Sequence, residues 1–136
     1  MNKDPHSEGF MTYTKSSSRS INEIEQRLRD AAQRHKFGVL HTLDLKQTLE
    51  SKGIELGHEC RIFDVCNPQA ASTALNHEMR ASAVLPCRIS VYTEGDRCMI
   101  ATVHPTDLMR ATGIDGVEPL AREIEREILA IVDEAA

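Results

Sequence analysis

Two short cysteine motifs, Cys66-Asn67-Pro68 and Leu85-Pro86-Cys87, contain the residues of this chain best suited to chemistry. A thiol just ahead of a helix lies near unpaired backbone N–H groups and the positive end of the helix dipole, and both favour the thiolate. Cys66 meets that condition, because Pro68 fits the first turn of a helix and cannot donate to a strand ladder. If the strand ends carrying Cys66 and Cys87 meet, they form a two-thiol site. Such a site could hold a soft metal ion, Cu(I) or Zn(II), with His104 as a further ligand, or could cycle between dithiol and disulfide. The competing expectation is two small thiols packed at strand ends, as free cysteines usually are.

Other constellations are weaker. Cys60, Cys66, Cys87 and Cys98 include no CxxC pair, so the knuckles of a structural zinc site are missing. No GxGxxG, P-loop, HExxH or GxSxG occurs, which removes the usual signatures of dinucleotide, phosphoryl, zinc-protease and esterase chemistry. His58-Glu59 and His77-Glu78 place imidazole beside carboxylate in sequence only. Neighbouring residues point to opposite faces of a strand, or diverge by about 100° on a helix, so acid and base fall out of reach.

The elements that must position the thiols belong to one domain. At 136 residues, with 40% hydrophobic and 27% charged side chains, the chain can bury one core but not two. Residues 1–7 read as a disordered leader and 8–136 as a single α+β domain. A net charge of −5 with no Lys/Arg cluster disfavours nucleic acid. No apolar run approaches the roughly 18 residues of a membrane span, and the polar start is unlike a signal peptide, so the expected compartment is the cytoplasm. A reducing cytosol keeps thiols free and makes a disulfide framework improbable.

Phe10–Thr14 has strand composition, and Ser20-Ile21-Asn22-Glu23 reads as a capping box opening a helix to about His35. Ile21, Ile24, Leu28, Ala31 and Ala32 form its apolar stripe, and Glu23, Glu25, Arg27 and Arg29 its solvated face. His35 falls where an imidazolium can interact with the last exposed carbonyls. Gly38–Leu43 reads as a strand, and Asp44 caps a short helix through Lys52, stopped by Gly53. Cys60–Cys66 is a strand with Arg61, Phe63 and Val65 on one face, followed by a helix over Pro68–Met79. Cys87–Thr93 and Cys98–Val103 form a hairpin through Glu94-Gly95-Asp96, closed by His104-Pro105. A last helix over Glu118–Val132 carries Leu120, Ile124, Ile128 and Ile131 along one side.

These segments together resemble the family called domain of unknown function 302. The resemblance runs from about position 8 to 132 and rests on Phe37-Gly38-Val39, the two cysteine motifs, Leu43-Asp44-Leu45-Lys46, Thr48-Leu49 and His104-Pro105. It implies a curved, mainly antiparallel sheet of about five strands with helices on one side, commonly paired as a homodimer, and no established activity. The chain departs from the family's usual pattern at Arg88, where Asn is frequent, and at His104, where Asp is typical.

Three functional readings follow. The first is a homodimeric binding or accessory domain that holds a small ligand or soft metal at Cys66, Asn67, Pro68, Pro86, Cys87 and His104. The second is a thiol redox enzyme or sulfur carrier, with Cys66 as nucleophile and Cys87 as resolving thiol. The third is an interaction platform in which neither thiol reacts.

Overall fold

The leader expected over residues 1–7 and the strand start expected at Phe10 lie outside the residues that this computed structural model describes, 11–136. Within them the strands are β1 (Thr12–Ser17), β2 (Gly38–Asp44), β3 (Cys60–Cys66), β4 (Cys87–Glu94) and β5 (Arg97–Val103). The helices are α1 (Ile21–Arg34), α2 (Leu45–Glu50), α3 (Pro68–His77), α4 (Pro105–Thr112) and α5 (Glu118–Ala135), with a 3₁₀ turn at Met79–Ala83. The strands form one antiparallel sheet in the order β1-β5-β4-β3-β2.

Alternation along the strands sorts the side chains. Phe63 and Val65 on β3, Cys87, Ile89 and Val91 on β4, and Cys98 and Ile100 on β5 all enter one core cluster. Register brings Phe63 opposite Ile89 and Val65 opposite Cys87, so the two strands bury one shared face. Over it lie Ile24, Leu28, Ala31 and Ala32 of α1 and Ile124, Ile128, Ile131 and Val132 of α5. The turn between β4 and β5 is Gly95-Asp96, and Gly95 takes the positive φ of 62° that such a turn demands. In β2 the register with β3 shifts between Val39 and His41, a bulge that leaves Leu40 exposed.

Three local expectations are corrected. Ser20 does cap α1, its Oγ accepting the Glu23 N–H at 3.2 Å, but the Glu23 carboxylate takes Arg19 Nη1 at 2.8 Å instead of closing the box. Arg27 and Arg29 are not merely solvated. Arg27 donates to the carbonyls of Glu134 and Ala135, satisfying the last turn of α5, and Arg29 donates to Glu25 and Thr42. The third correction is α4, which follows β5 directly where only a closing His104-Pro105 turn was expected. Pro105 starts it and Gly113, at φ 72°, ends it; this Pro-first, Gly-last signature was present in the sequence.

Six of the 18 residues of α5 are buried, Ile128, Ile131 and Val132 completely. Deleting buried aliphatic carbon at such a site costs the transfer energy plus that of the cavity left behind. Ile128→Ala is therefore expected to lower unfolding free energy by about 2–5 kcal/mol in urea titrations, and a chain ending at Gly116 to lose its cooperative transition. Full cooperativity in the shortened chain would show that α5 is dispensable.

Candidate functional site

The β3–β4 ladder decides whether the two thiols meet. Val65 lies opposite Cys87, so Cys66 sits one residue diagonally beyond it, at the last position of β3. Cys66 and Cys87 line the same small void together with Phe37, Ala70, Pro86 and Ile124. Both thiols are free. Asn67 holds the approach in place: its side chain accepts the Ala70 N–H at 3.0 Å, capping α3, while Pro68 occupies the first helical turn. Leu85–Pro86 is a cis peptide bond, and both residues contribute to the void's wall.

The thiolate expected at Cys66 is not favoured. Burial pushes the Cys66 thiol above its ordinary range. Burial pushes Cys87 up to about 12, with the neighbouring Cys66 adding a smaller unfavourable charge interaction. The helix start that was expected to stabilise a thiolate is largely spent, because Pro68 has no N–H and Asn67 already takes the Ala70 donor. What remains is desolvation without a compensating cation.

His104 does not join the pair. Its ring makes a T-shaped contact with Tyr13 at 5.9 Å between centroids, and Nδ1 lies 3.5 Å from Glu125. Glu125 also accepts the Thr106 N–H at 3.1 Å and the Thr106 hydroxyl at 2.7 Å, supplying α4 with the cap that His104 does not provide. The structure thus brings Cys66, Asn67, Pro86 and Cys87 to one void and places His104 elsewhere. Among the described residues, no three of His, Cys, Asp and Glu gather as a metal-binding group. The sequence-adjacent pairs also separate: His58 Nδ1 contacts the Thr93 carbonyl and Glu59 pairs with Lys46, while His77 Nε2 contacts the Asp115 carbonyl and Glu78 binds Arg80.

What sequence reasoning missed is the space around the thiols. Cys87, Leu85 and Ile124 also wall a chamber of about 300 Å³, completed by Ala101 of β5, Leu108 and Met109 of α4 and Ala121 of α5. Its lining is almost wholly carbon. The void beside the thiols, about 10 Å³, has barely the room that one water requires and forms a narrow neck. On the far side of that neck, Phe37, Asn67, Ala70 and Ile124 border a polar pocket lined also by His35, Lys36 and Glu127. Ile124 touches all three spaces. The unread signal was α4, without which the chamber has no outer wall.

With the geometry in view, comparison with known proteins settles the family. This chain belongs to the family described as domain of unknown function DUF302. The family model matches residues 13–135. The chain is similar to a crystal structure described as an uncharacterized conserved DUF302 protein from Bacillus stearothermophilus, with a TM-score of 0.90 and 30% identity over 94% of this chain and 100% of the other. No curated protein matches. The DUF302 framework thus accounts for the five-stranded sheet and its helices, including α5.

The polar pocket holds an ionic clamp. His35, expected to face helix carbonyls, instead places Nδ1 on Glu127 and Nε2 on Glu134, tying the end of α1 to α5, and Arg34 Nη2 reaches Glu134 at 2.8 Å. The Glu134 contact first, then that with Glu127, raises the His35 pKa. Because the folded imidazole keeps its proton above the unfolded value of about 6.5, its stabilisation is complete below that value and is lost as pH rises through the folded pKa. The urea midpoint is therefore expected to fall between about pH 6 and pH 9, and His35→Gln to flatten that fall. An equal slope in the variant would remove His35 from the account.

A second expectation concerns the thiols. At about pH 7.5, iodoacetamide should label Cys66 more slowly than an unstructured cysteine, and Cys87 more slowly still, with urea abolishing the difference. Fast labelling of Cys66 in the folded chain, read by mass spectrometry, would reinstate the reactive-thiolate reading.

Proposed function

We propose that this DUF302 chain is a small-ligand-binding domain that works as a homodimer, with the chamber beside Cys87 as its site. The observation that carries this reading is the chamber itself: about 300 Å³, at the low end of the roughly 300–1,000 Å³ of ligand pockets, with apolar walls drawn from β4, β5, α4 and α5.

The thiols fit this reading as part of the wall. A thiol enzyme or sulfur carrier needs an accessible thiolate, and burial disfavours one at both Cys66 and Cys87. Pairing as a homodimer rests on the family resemblance and on the exposed apolar side chains Leu40, Ile54 and Met79. A cytoplasmic setting is supported by four free cysteines, two of them sharing one void. No helix among the described residues is long and apolar enough to cross a membrane.

In ¹H–¹⁵N spectra, the uncharged probe 1-octanol should shift the amides of Leu108, Met109 and Ala121, and filling the chamber with Ala101→Trp or Leu108→Trp should abolish the shifts while the fold persists. Absence of saturable shifts would overturn the chamber as a ligand site. Sedimentation equilibrium should give a mass near twice 15.2 kDa, and a concentration-independent monomer at micromolar protein would overturn the dimer.

A further inference from the structure

The chamber has one charged side chain in its wall. Arg88 lines it beside Ser90, two positions along β4, and both lie on the face of the strand opposite to Cys87 and Ile89. The Arg88 side chain is 68% exposed, and its sole ionic contact among the described residues is a long one, Nε to Asp64 at 3.4 Å. That leaves both Nη groups without a hydrogen-bond partner among the described residues. The neighbouring Thr102 hydroxyl is already committed, donating to the Arg88 carbonyl at 2.8 Å. The wall therefore includes one residue whose Nη donors are unused, among a lining that is otherwise mostly carbon with the hydroxyl residues Thr12, Ser90 and Thr102.

Resting on the chamber being a ligand site, we infer that its ligand is a small apolar carboxylate, with the carbon body against Leu108, Met109, Ala121 and Ile124 and the head group on Arg88. Three features select this class. The guanidinium fork matches a carboxylate through two parallel N–H donors. No second cation lines the chamber to balance the higher charge of a phosphate. The cleft's volume, about 300 Å³, is about twice the ~150 Å³ cavity that accepts a benzene-sized guest, room for one short hydrocarbon body. Net charge makes the choice local: on a chain of −5, a general field does not draw anions, so attraction must come from Arg88 itself.

Isothermal titration of the full chain with octanoate, 1-octanol and octylamine, which share one tail, separates head-group recognition from chamber filling. Octanoate is expected to bind roughly three- to tenfold tighter than octanol, the range of one charge-assisted contact at a wet rim. Arg88→Gln should remove that advantage and leave octanol binding unchanged, Arg88→Lys should restore part of it, and Ala101→Trp should abolish binding of all three. Equal binding of octanoate and octanol would overturn the carboxylate assignment while leaving the chamber as a site. Tightest binding of octylamine would also overturn it, pointing to Asp64 as the head-group partner. Loss of octanol binding in Arg88→Gln would make Arg88 part of the wall rather than the recognition group. Failure of every probe to bind would overturn the chamber and the assignment together.

Discussion

The apolar stripe of α5 must be covered, and two different surfaces cover it. Its C-terminal half, Ile128, Ile131 and Val132, lies in the main cluster with Phe63, Ile89, Val91 and Ile100 of the sheet. Further toward the N-terminus, Ala121 belongs to a second cluster with Ala74, Ala81, Met109 and Val117, built by α3, α4 and the 3₁₀ turn. Branched side chains on a pleated sheet interdigitate closely, whereas three of the five buried residues in the second cluster are alanines, which bring little side-chain volume. The chamber opens beside this second cluster, with Met109 and Ala121 in its wall. Ile124, between the two halves, belongs to the main cluster and borders the chamber, the small void and the polar pocket alike.

The behaviour of Cys66 is a contest between two effects of known size. A helix N-terminus stabilises a nearby anion by about 0.3–1 kcal/mol at an exposed site, which is less than one pKa unit. Desolvation of a fully buried group can shift its pKa by several units in the opposite sense. Cys66 is only partly buried, yet the smaller effect is weakened further because Pro68 lacks a donor and Asn67 consumes another. Cys87, deeper and next to a second sulfur, is shifted further in the same direction. The motif that reads as reactive in sequence is, in the fold, a way of ending a strand and starting a helix beside a small apolar void.

The strands and long helices were legible because each carries a local signal that tertiary contact only reinforces. The β3 span Cys60–Cys66, the Asp44 and Ser20 caps, the helix start at Pro68 and the turn at Gly95 occur as the residue types require. α4 was not read, although Pro105 and Gly113 bracket it, because His104-Pro105 also reads as the end of a strand and eight residues hold scarcely two turns of periodicity. The proximity of Cys66 and Cys87 was legible only as a possibility, since it depends on the register of Val65 with Cys87. Of the chamber, only the α4 wall had a sequence signal. The rest is set by side chains on elements distant in the chain, and no pattern of types announces an absence of atoms.

The bulge in β2 bears on how this sheet meets other chains. An open sheet has two edge strands, here β1 and β2 among the described residues, and a regular uncovered edge offers a template on which a further strand can add without limit. The shift between Val39 and His41 interrupts the spacing of edge N–H and C=O groups and twists the strand locally. A foreign strand arriving there would find its ladder broken after a few residues. The same irregularity that turns Leu40 outward thus works against open-ended polymerisation, a hazard for any small domain that keeps its sheet unclosed.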